Sequence, residues 1–204
     1  MERWVLLRKG ADFEAIGKKY QISPRLACLI RNRDVIGEEA VDRYLNGTIS
    51  DLYDGMLMKD MDKAIDILKE KILEDKKIRV IGDYDIDGVN ATYILLEGLE
   101  RLGADVDSDI PDRISDGYGL NRHLVERAYE AGVDTLITCD NGIAAADEIA
   151  YGKEMGMTVI VTDHHEVPFD EHDGEKRYRI PPADAVMDPK QPDCFYPFKG
   201  LCGA

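Results

Sequence analysis

Three aspartates at alternate positions, Asp83, Asp85 and Asp87, follow the short β-branched run Ile78, Val80, Ile81 and are closed off by Gly88. In an extended backbone that alternation puts the three side chains on one side, and the run before them has the makeup of a buried strand. Three carboxylates converging at a strand end repel one another unless a cation neutralises them. A divalent-metal site is therefore the first chemistry this spacing suggests. The same Asp-x-Asp-x-Asp-Gly string opens an EF-hand calcium loop, which needs a Glu at its twelfth position. Here the twelfth residue from Asp83 is Ile94 and the preceding flank reads as strand, so an EF-hand is excluded. A solvated acidic turn is the remaining alternative.

The elements around this stretch decide between the two. From Lys77 onward the pattern is β–α repeated. The strand ending at Asp83 leads into a helix over 89–102, a second strand over 104–110 and a helix over 121–131. A third strand over 134–139, a helix over 144–155, a fourth strand over 157–162 and a fifth over 185–187 follow. Strands alternating with helices imply a parallel sheet with helices on both faces, and ligands of such sheets bind beyond the carboxyl ends of the strands. The first strand ends in Asp83, Asp85 and Asp87, the third in Asp140-Asn141-Gly142, and the fourth in Asp163-His164-His165. Solvated surface residues have no reason to collect at one end of three strands. Two of only four histidines stand side by side there, which reads as ligation and not as core packing.

Residues 1 to about 60 read as a less regular helical lead-in. Ser23-Pro24 suits a helix start, 38–45 is a short amphipathic stretch, and Gly47 stands where a C-cap glycine belongs. Asp60 is placed to cap a clearer helix, in which Met61, Ala64, Ile65, Leu68, Ile72 and Leu73 form an apolar stripe.

With 44% hydrophobic and 33% charged residues the chain has a globular composition. No segment approaches a membrane span, and the first ten residues lack the apolar core of a signal peptide, so a cytoplasmic location is expected. Cys28, Cys139, Cys194 and Cys202 are scattered without a Cys-x-x-Cys pair, which fits reduced thiols and argues against a zinc ribbon. The net charge of −15 does not describe a self-sufficient nucleic-acid binder, which carries a basic face.

The segments DYDIDG (83–88), IPDRISDGYGLN (110–121), TCDNGI (138–143) and VTDHHE (161–166) resemble, in order and spacing, the four signature segments of the DHH phosphoesterases. The match is nearest the RecJ branch of single-strand-specific exonucleases. The lead-in with its Asp60-Met61 helix start, and the tail from Asp188-Pro189 through Pro197 to Ala204, are RecJ-like as well. The resemblance implies a Rossmann-like DHH domain, a mostly parallel sheet flanked by helices, over 77–204, and a helical N-terminal lobe over 1–76. It also implies two divalent cations, Mn2+ or Mg2+. Asp85 and Asp87 then look like ligands with Asp83 a further one, Asp140 resembles the ligand that bridges the metals, and His164 resembles the histidine ligand. His165 resembles the histidine that contacts or protonates the scissile phosphate, with Asp163 orienting a histidine. Oxygen-rich ligation with imidazole suits manganese or magnesium. Two such cations activate water and polarise the phosphoryl oxygens.

Arg113 is the expected phosphate contact, because a guanidinium binds phosphate bidentately; an ordinary surface arginine is the alternative. Tyr118 is placed to stack on a base or to pack in the core, Asn141 is a further substrate contact, and Asn121 is placed to cap the next helix. The function this implies is a metal-dependent 5′–3′ exonuclease on single-stranded DNA in repair and recombination. The other readings are a DHH phosphodiesterase of short oligonucleotides or cyclic dinucleotides, and an idle scaffold. RecJ-type proteins carry a further ligand aspartate, the rest of the catalytic domain, a DHH-associated domain and a nucleic-acid-binding barrel beyond the position of Ala204. The expectation is thus a domain truncated at its C-terminal end, with a weakened second metal and little activity alone.

Overall fold

The computed structural model describes residues 9–114 and 116–204, so the stretch read for an export signal lies almost wholly outside the described residues. Two compact units are present, 1–52 and 53–204. In the first, three short helices follow one another: α1 (Phe13–Tyr20), α2 (Pro24–Asn32) and α3 (Glu38–Asn46). Ser23 caps α2 through its side chain, which accepts the Leu26 N–H. Gly47 follows α3 as expected, with a Cβ there only 2.4 Å from the Arg43 carbonyl oxygen, so a larger residue would not close the turn.

The second unit begins with α4 (Met61–Leu73), which packs Ala64, Ile67, Leu68 and Ile72 onto the sheet. The boundary drawn from sequence at 76/77 falls inside this unit, because the apolar stripe of α4 is half of a sheet–helix interface. Asp60 does not cap α4 with its side chain. Its backbone is left-handed, and its carboxylate accepts the Val186 N–H at 3.0 Å instead.

The sheet strands are β1 (Ile78–Ile81), β2 (Val106–Asp109), β3 (Thr135–Cys139), β4 (Thr158–Thr162) and β7 (Ala185–Met187), in the order β2-β1-β3-β4-β7 with every pairing parallel. Between them run α5 (Ile86–Arg101), α6 (Arg122–Glu130) and α7 (Ala146–Glu154). Alternate strand residues face opposite sides. Ile78, Val80, Ile137, Cys139 and Ile160 pack with the α4 and α5 residues Ala64, Ala91 and Leu99. Ile81, Leu136, Val159, Val161 and Val186 pack with Leu124, Val125 and Ala128 of α6 and Ile149 of α7. Each face is thereby sealed, as a parallel sheet requires. Chain order reverses between β1 and β3, which opens a crevice at their carboxyl ends.

One element escapes the β–α reading. An antiparallel hairpin of β5 (Phe169–His172) and β6 (Glu175–Tyr178) stands out from the segment after β4, exposed along both strands. Its two-residue turn is Asp173-Gly174, both at positive φ, and Asp-Gly is a strong signal for such a turn.

Candidate metal centre

The three leading aspartates do not line one side of a strand. β1 stops at Ile81, Asp85 is the N-cap of α5, and Asp87 lies in that helix's first turn. The expected alternation fails because the Asp85 carboxylate accepts the N–H groups of Asp87 and Gly88, which starts the helix at once. Those hydrogen bonds, the one from Gly88 foremost, hold the Asp85 carboxyl below the usual carboxylate range. Gly88 lets the helix approach closely: a Cβ there would lie 2.6 Å from the Asp83 amide nitrogen and 2.6 Å from its carbonyl oxygen.

Convergence comes from the neighbouring strand ends. Asp83, Asp85 and Asp140 bring one carboxylate oxygen each to within 4.8 Å of one another. Asp83 is fully buried, and neither of its carboxylate oxygens has a hydrogen-bond partner among the described residues. A buried carboxylate left so is costly unless a cation meets it, so the residues present fit a divalent ion. Asp140 follows β3 in a left-handed backbone conformation at φ 60°, with Gly142 at φ 112° completing the turn. Burial pushes the Asp140 carboxyl up, against the pull of the His164 hydrogen bond.

His164 Nε2 lies 2.8 Å from Asp140 Oδ1 and 3.4 Å from Asp87 Oδ2, so Asp87 joins the centre through the histidine side. Asp87 also accepts the backbone N–H groups of Gly203 and Ala204 at 2.8 and 2.9 Å. Asp140, His164 and His165 form a second group able to hold an ion.

Asp163 works as a hub. Its Oδ1 accepts the backbone N–H groups of His164 and His165 and faces His165 Nδ1 at 2.8 Å, while Oδ2 accepts the Ile143 N–H. Burial acts to lower the His165 pKa, but the bond to Asp163 and its charge outweigh that and hold it above the usual histidine value. Tyr118 Oη stands 3.4 Å from His165 Nε2. Burial, reinforced by the surrounding aspartates, pushes the Tyr118 phenol up to about 12, so it stays protonated.

Two of the expected substrate contacts are held by the fold. The Arg113 guanidinium lies 5.3 Å over the ring of Tyr84, which meets Tyr118 edge-on at 6.1 Å. Arg113 is exposed beside the centre rather than in it. Asn141 is only 3% exposed and donates its side-chain amide to the carbonyls of Ile81 and Cys139. That amide ties the end of β1 to the end of β3, while its Oδ1 is unpartnered among the described residues and Asn141 lines a cleft beside His165. Asn121 caps α6 as expected, accepting the Leu124 N–H.

Sequence reasoning passed over Asp188, which follows β7 as Asp163 follows β4. It is fully buried with Oδ2 unpartnered among the described residues, and burial pushes its carboxyl up to about 6. Its signal was legible: an aspartate just after a strand, in the same place as Asp140 and Asp163. Tyr84, the seat of Arg113, was missed as well.

Residues 77–204 match the model of the DHH family, N-terminal domain. The chain is 40% identical over 202 residues to the single-stranded-DNA-specific exonuclease RecJ of Bacillus subtilis (strain 168), covering 98% of this chain and 25% of that one. To the RecJ of Escherichia coli (strain K12) it is 30% identical over 204 residues, covering 100% of this chain and 33% of that one. A crystal structure of exonuclease RecJ bound to manganese superposes with a TM-score of 0.57 at 39% identity, over 67% of this chain and 33% of the other. RecJ in complex with Mn2+ from Thermus thermophilus gives a TM-score of 0.62 at 29% identity, over 95% and 26%. The chain thus spans about a quarter to a third of the length of these relatives.

Proposed function

Because the chain belongs to the DHH family, we propose that it is the metal-bearing part of a RecJ-like exonuclease that hydrolyses single-stranded DNA from its 5′ end. The observation that carries this reading is the fully buried Asp83, its two oxygens unpartnered beside Asp85 and Asp140 at the switch point of a parallel sheet. Asp83, Asp85, Asp87, Asp140 and His164 would hold two divalent cations, with Mn2+ favoured by the manganese-bound relatives and Mg2+ suited to the same oxygen donors. Bound there, such a cation supplies Lewis-acid polarisation of the phosphoryl oxygens and activates water for attack.

The chain's own residues do the rest. Asp163 fixes the His165 ring through Nδ1, which leaves Nε2 to carry a proton to the departing oxygen. Ile143 N–H in turn fixes Asp163, so the donor is set by the strand ends and not by a mobile loop. Arg113 stands beside the centre to take a neighbouring phosphate, its guanidinium preorganised on Tyr84. Residues 1–204 carry a net charge of −15, so within them the contacts open to DNA are local groups such as Arg113 and any bound cations.

Repair and recombination, and a cytoplasmic location, belong to the same proposal. Among the described residues no helix is long and apolar enough to cross a membrane. The test is hydrolysis of 5′-labelled single strands, duplexes and dinucleotides with and without Mn2+. Metal-dependent release from single strands alone supports the reading. Equal cutting of duplex contradicts it, and cleavage of dinucleotides alone promotes the small-substrate phosphodiesterase.

A further inference from the structure

A cleft of about 340 Å³ opens beside His165 on the α6–α7 side of the sheet. Its volume lies at the lower end of ligand pockets, roughly 300–1,000 Å³. Leu120, Ile143 and Ala144 supply apolar wall, and Tyr118, a residue 58% exposed, flanks it with its ring. The charged side chains on its lining are carboxylates, Glu148, Glu166 and Asp163, and no lysine or arginine among the described residues lines it. Glu166 is paired with Lys190 at 3.1 Å.

Apart from His165, that lining offers a phosphate like charge and no guanidinium or ammonium. A flat, uncharged ring fits instead, stacked on Tyr118 and bordered by aliphatic wall, with the Glu148 carboxylate on the lining to accept ring N–H or amino groups. Every nucleobase has a π-face and at least one such donor, so the seat is tolerant of sequence. Tyr118 also joins the cleft to the chemistry, its ring edge-on to His165 at 6.3 Å. We infer that this cleft seats the nucleobase of a nucleotide adjoining the phosphodiester that His165 serves, while the phosphates run past Arg113. The inference rests on the nuclease reading and adds to it a base subsite built from Tyr118, Ile143 and Ala144.

The test uses the full-length protein that carries this chain and single-stranded deoxyoligonucleotides in which one nucleoside at a time is replaced by an abasic residue, leaving every phosphate in place. Both Mn2+-dependent hydrolysis and equilibrium binding are measured. One position near the 5′ end should raise KM and Kd by roughly 5- to 150-fold, the loss that corresponds to one stacked base, and its neighbours should change little. Ala144 is exposed, so Ala144→Trp should fold normally and fill the cleft. In that variant the intact oligonucleotide should bind as weakly as the abasic one. Hydrolysis or binding that ignores the abasic position, or an Ala144→Trp variant with unchanged KM and Kd, overturns the subsite while leaving the nuclease reading intact. Position-dependent binding without any hydrolysis supports the subsite and defeats the nuclease reading. Absence of both binding and hydrolysis overturns the two together.

Discussion

His164 Nε2 lies 2.8 Å from Asp140 Oδ1, which joins the loop after β4 to the loop after β3. Both loops leave parallel neighbours, so the strand register itself brings the imidazole to the carboxylate. His164→Ala should raise the Kd for Mn2+ by more than the ~10–100-fold typical of losing an outer partner. Binding should also weaken at acid pH, because the carboxylates must be ionised and the imidazole neutral. Calorimetry giving equal affinity for the parent and the variant would remove His164 from the centre.

His165 is assigned to proton transfer and not to metal holding. In the full-length protein that carries this chain, His165→Ala should slow hydrolysis by ~10²–10⁴ while Mn2+ affinity stays near that of the unsubstituted protein. Because His165 also belongs to a group able to hold an ion with Asp140 and His164, both quantities need measuring. Loss of Mn2+ binding in this variant would make His165 a ligand. Arg113→Ala should instead raise KM with little change in kcat, since a phosphate contact is made already in the ground state.

The approach of α5 to Asp83 sets a steric limit. Gly88→Ala would place a methyl 2.6 Å from the backbone of Asp83, against main chain that cannot swing aside. The helix must shift from the strand end, at a cost of about 1–3 kcal/mol for overpacking. Thermal unfolding should show that loss together with weakened Mn2+ binding. An unchanged melting temperature would mean that the close approach is not required.

Asp188 makes stability depend on pH in the reverse of the usual carboxylate sense. Its folded-state pKa, about 6, lies above the ~3.9 of an unfolded aspartate. The folded chain therefore holds this proton more tightly. The contribution is complete below about pH 3.9 and is lost as pH rises through about 6. Asp188→Asn keeps an acceptor for the Lys190 N–H and removes the buried charge. The metal-free variant should gain on the order of 2 kcal/mol at pH 7–8 and little at pH 4. Denaturant unfolding at the two pH values checks this; a loss at pH 8 would show that the ionised carboxylate has a partner.

Asp60→Ala tests a long-range tie. The carboxylate accepts the Val186 N–H across 126 residues of chain, at the edge strand β7. Its removal should cost about 1 kcal/mol and speed amide exchange at Val186. Unaltered exchange would show that the edge is held without it.

Strand and helix periodicity, Ser23 and Asn121 as caps, and the clustering of Asp83, Asp140, Asp163 and the paired histidines at strand ends were all legible in the sequence. Each rests on spacing within one element, plus the rule that parallel strands share their carboxyl end. The Asp173-Gly174 hairpin was legible too and went unread.

Other features depend on groups distant in sequence, and local pattern carries no record of them. Asp85 turned a supposed extended run into a helix start, because a carboxylate that can reach two N–H groups competes with strand geometry. Asn141 reads as a substrate contact from its motif, and nothing local shows that the carbonyls of Ile81 and Cys139 take its amide. Asp60 looks like a cap until β7 arrives beside it. The sequence by itself determined which residue types gather at the crevice, since strand periodicity and chain order put them there. Only the tertiary structure decided which of them are buried without partners, which face each other within bonding distance and which serve the backbone. Burial and hydrogen bonding belong to the packed chain, because they arise only when strands and helices far apart in sequence exclude water from the same space.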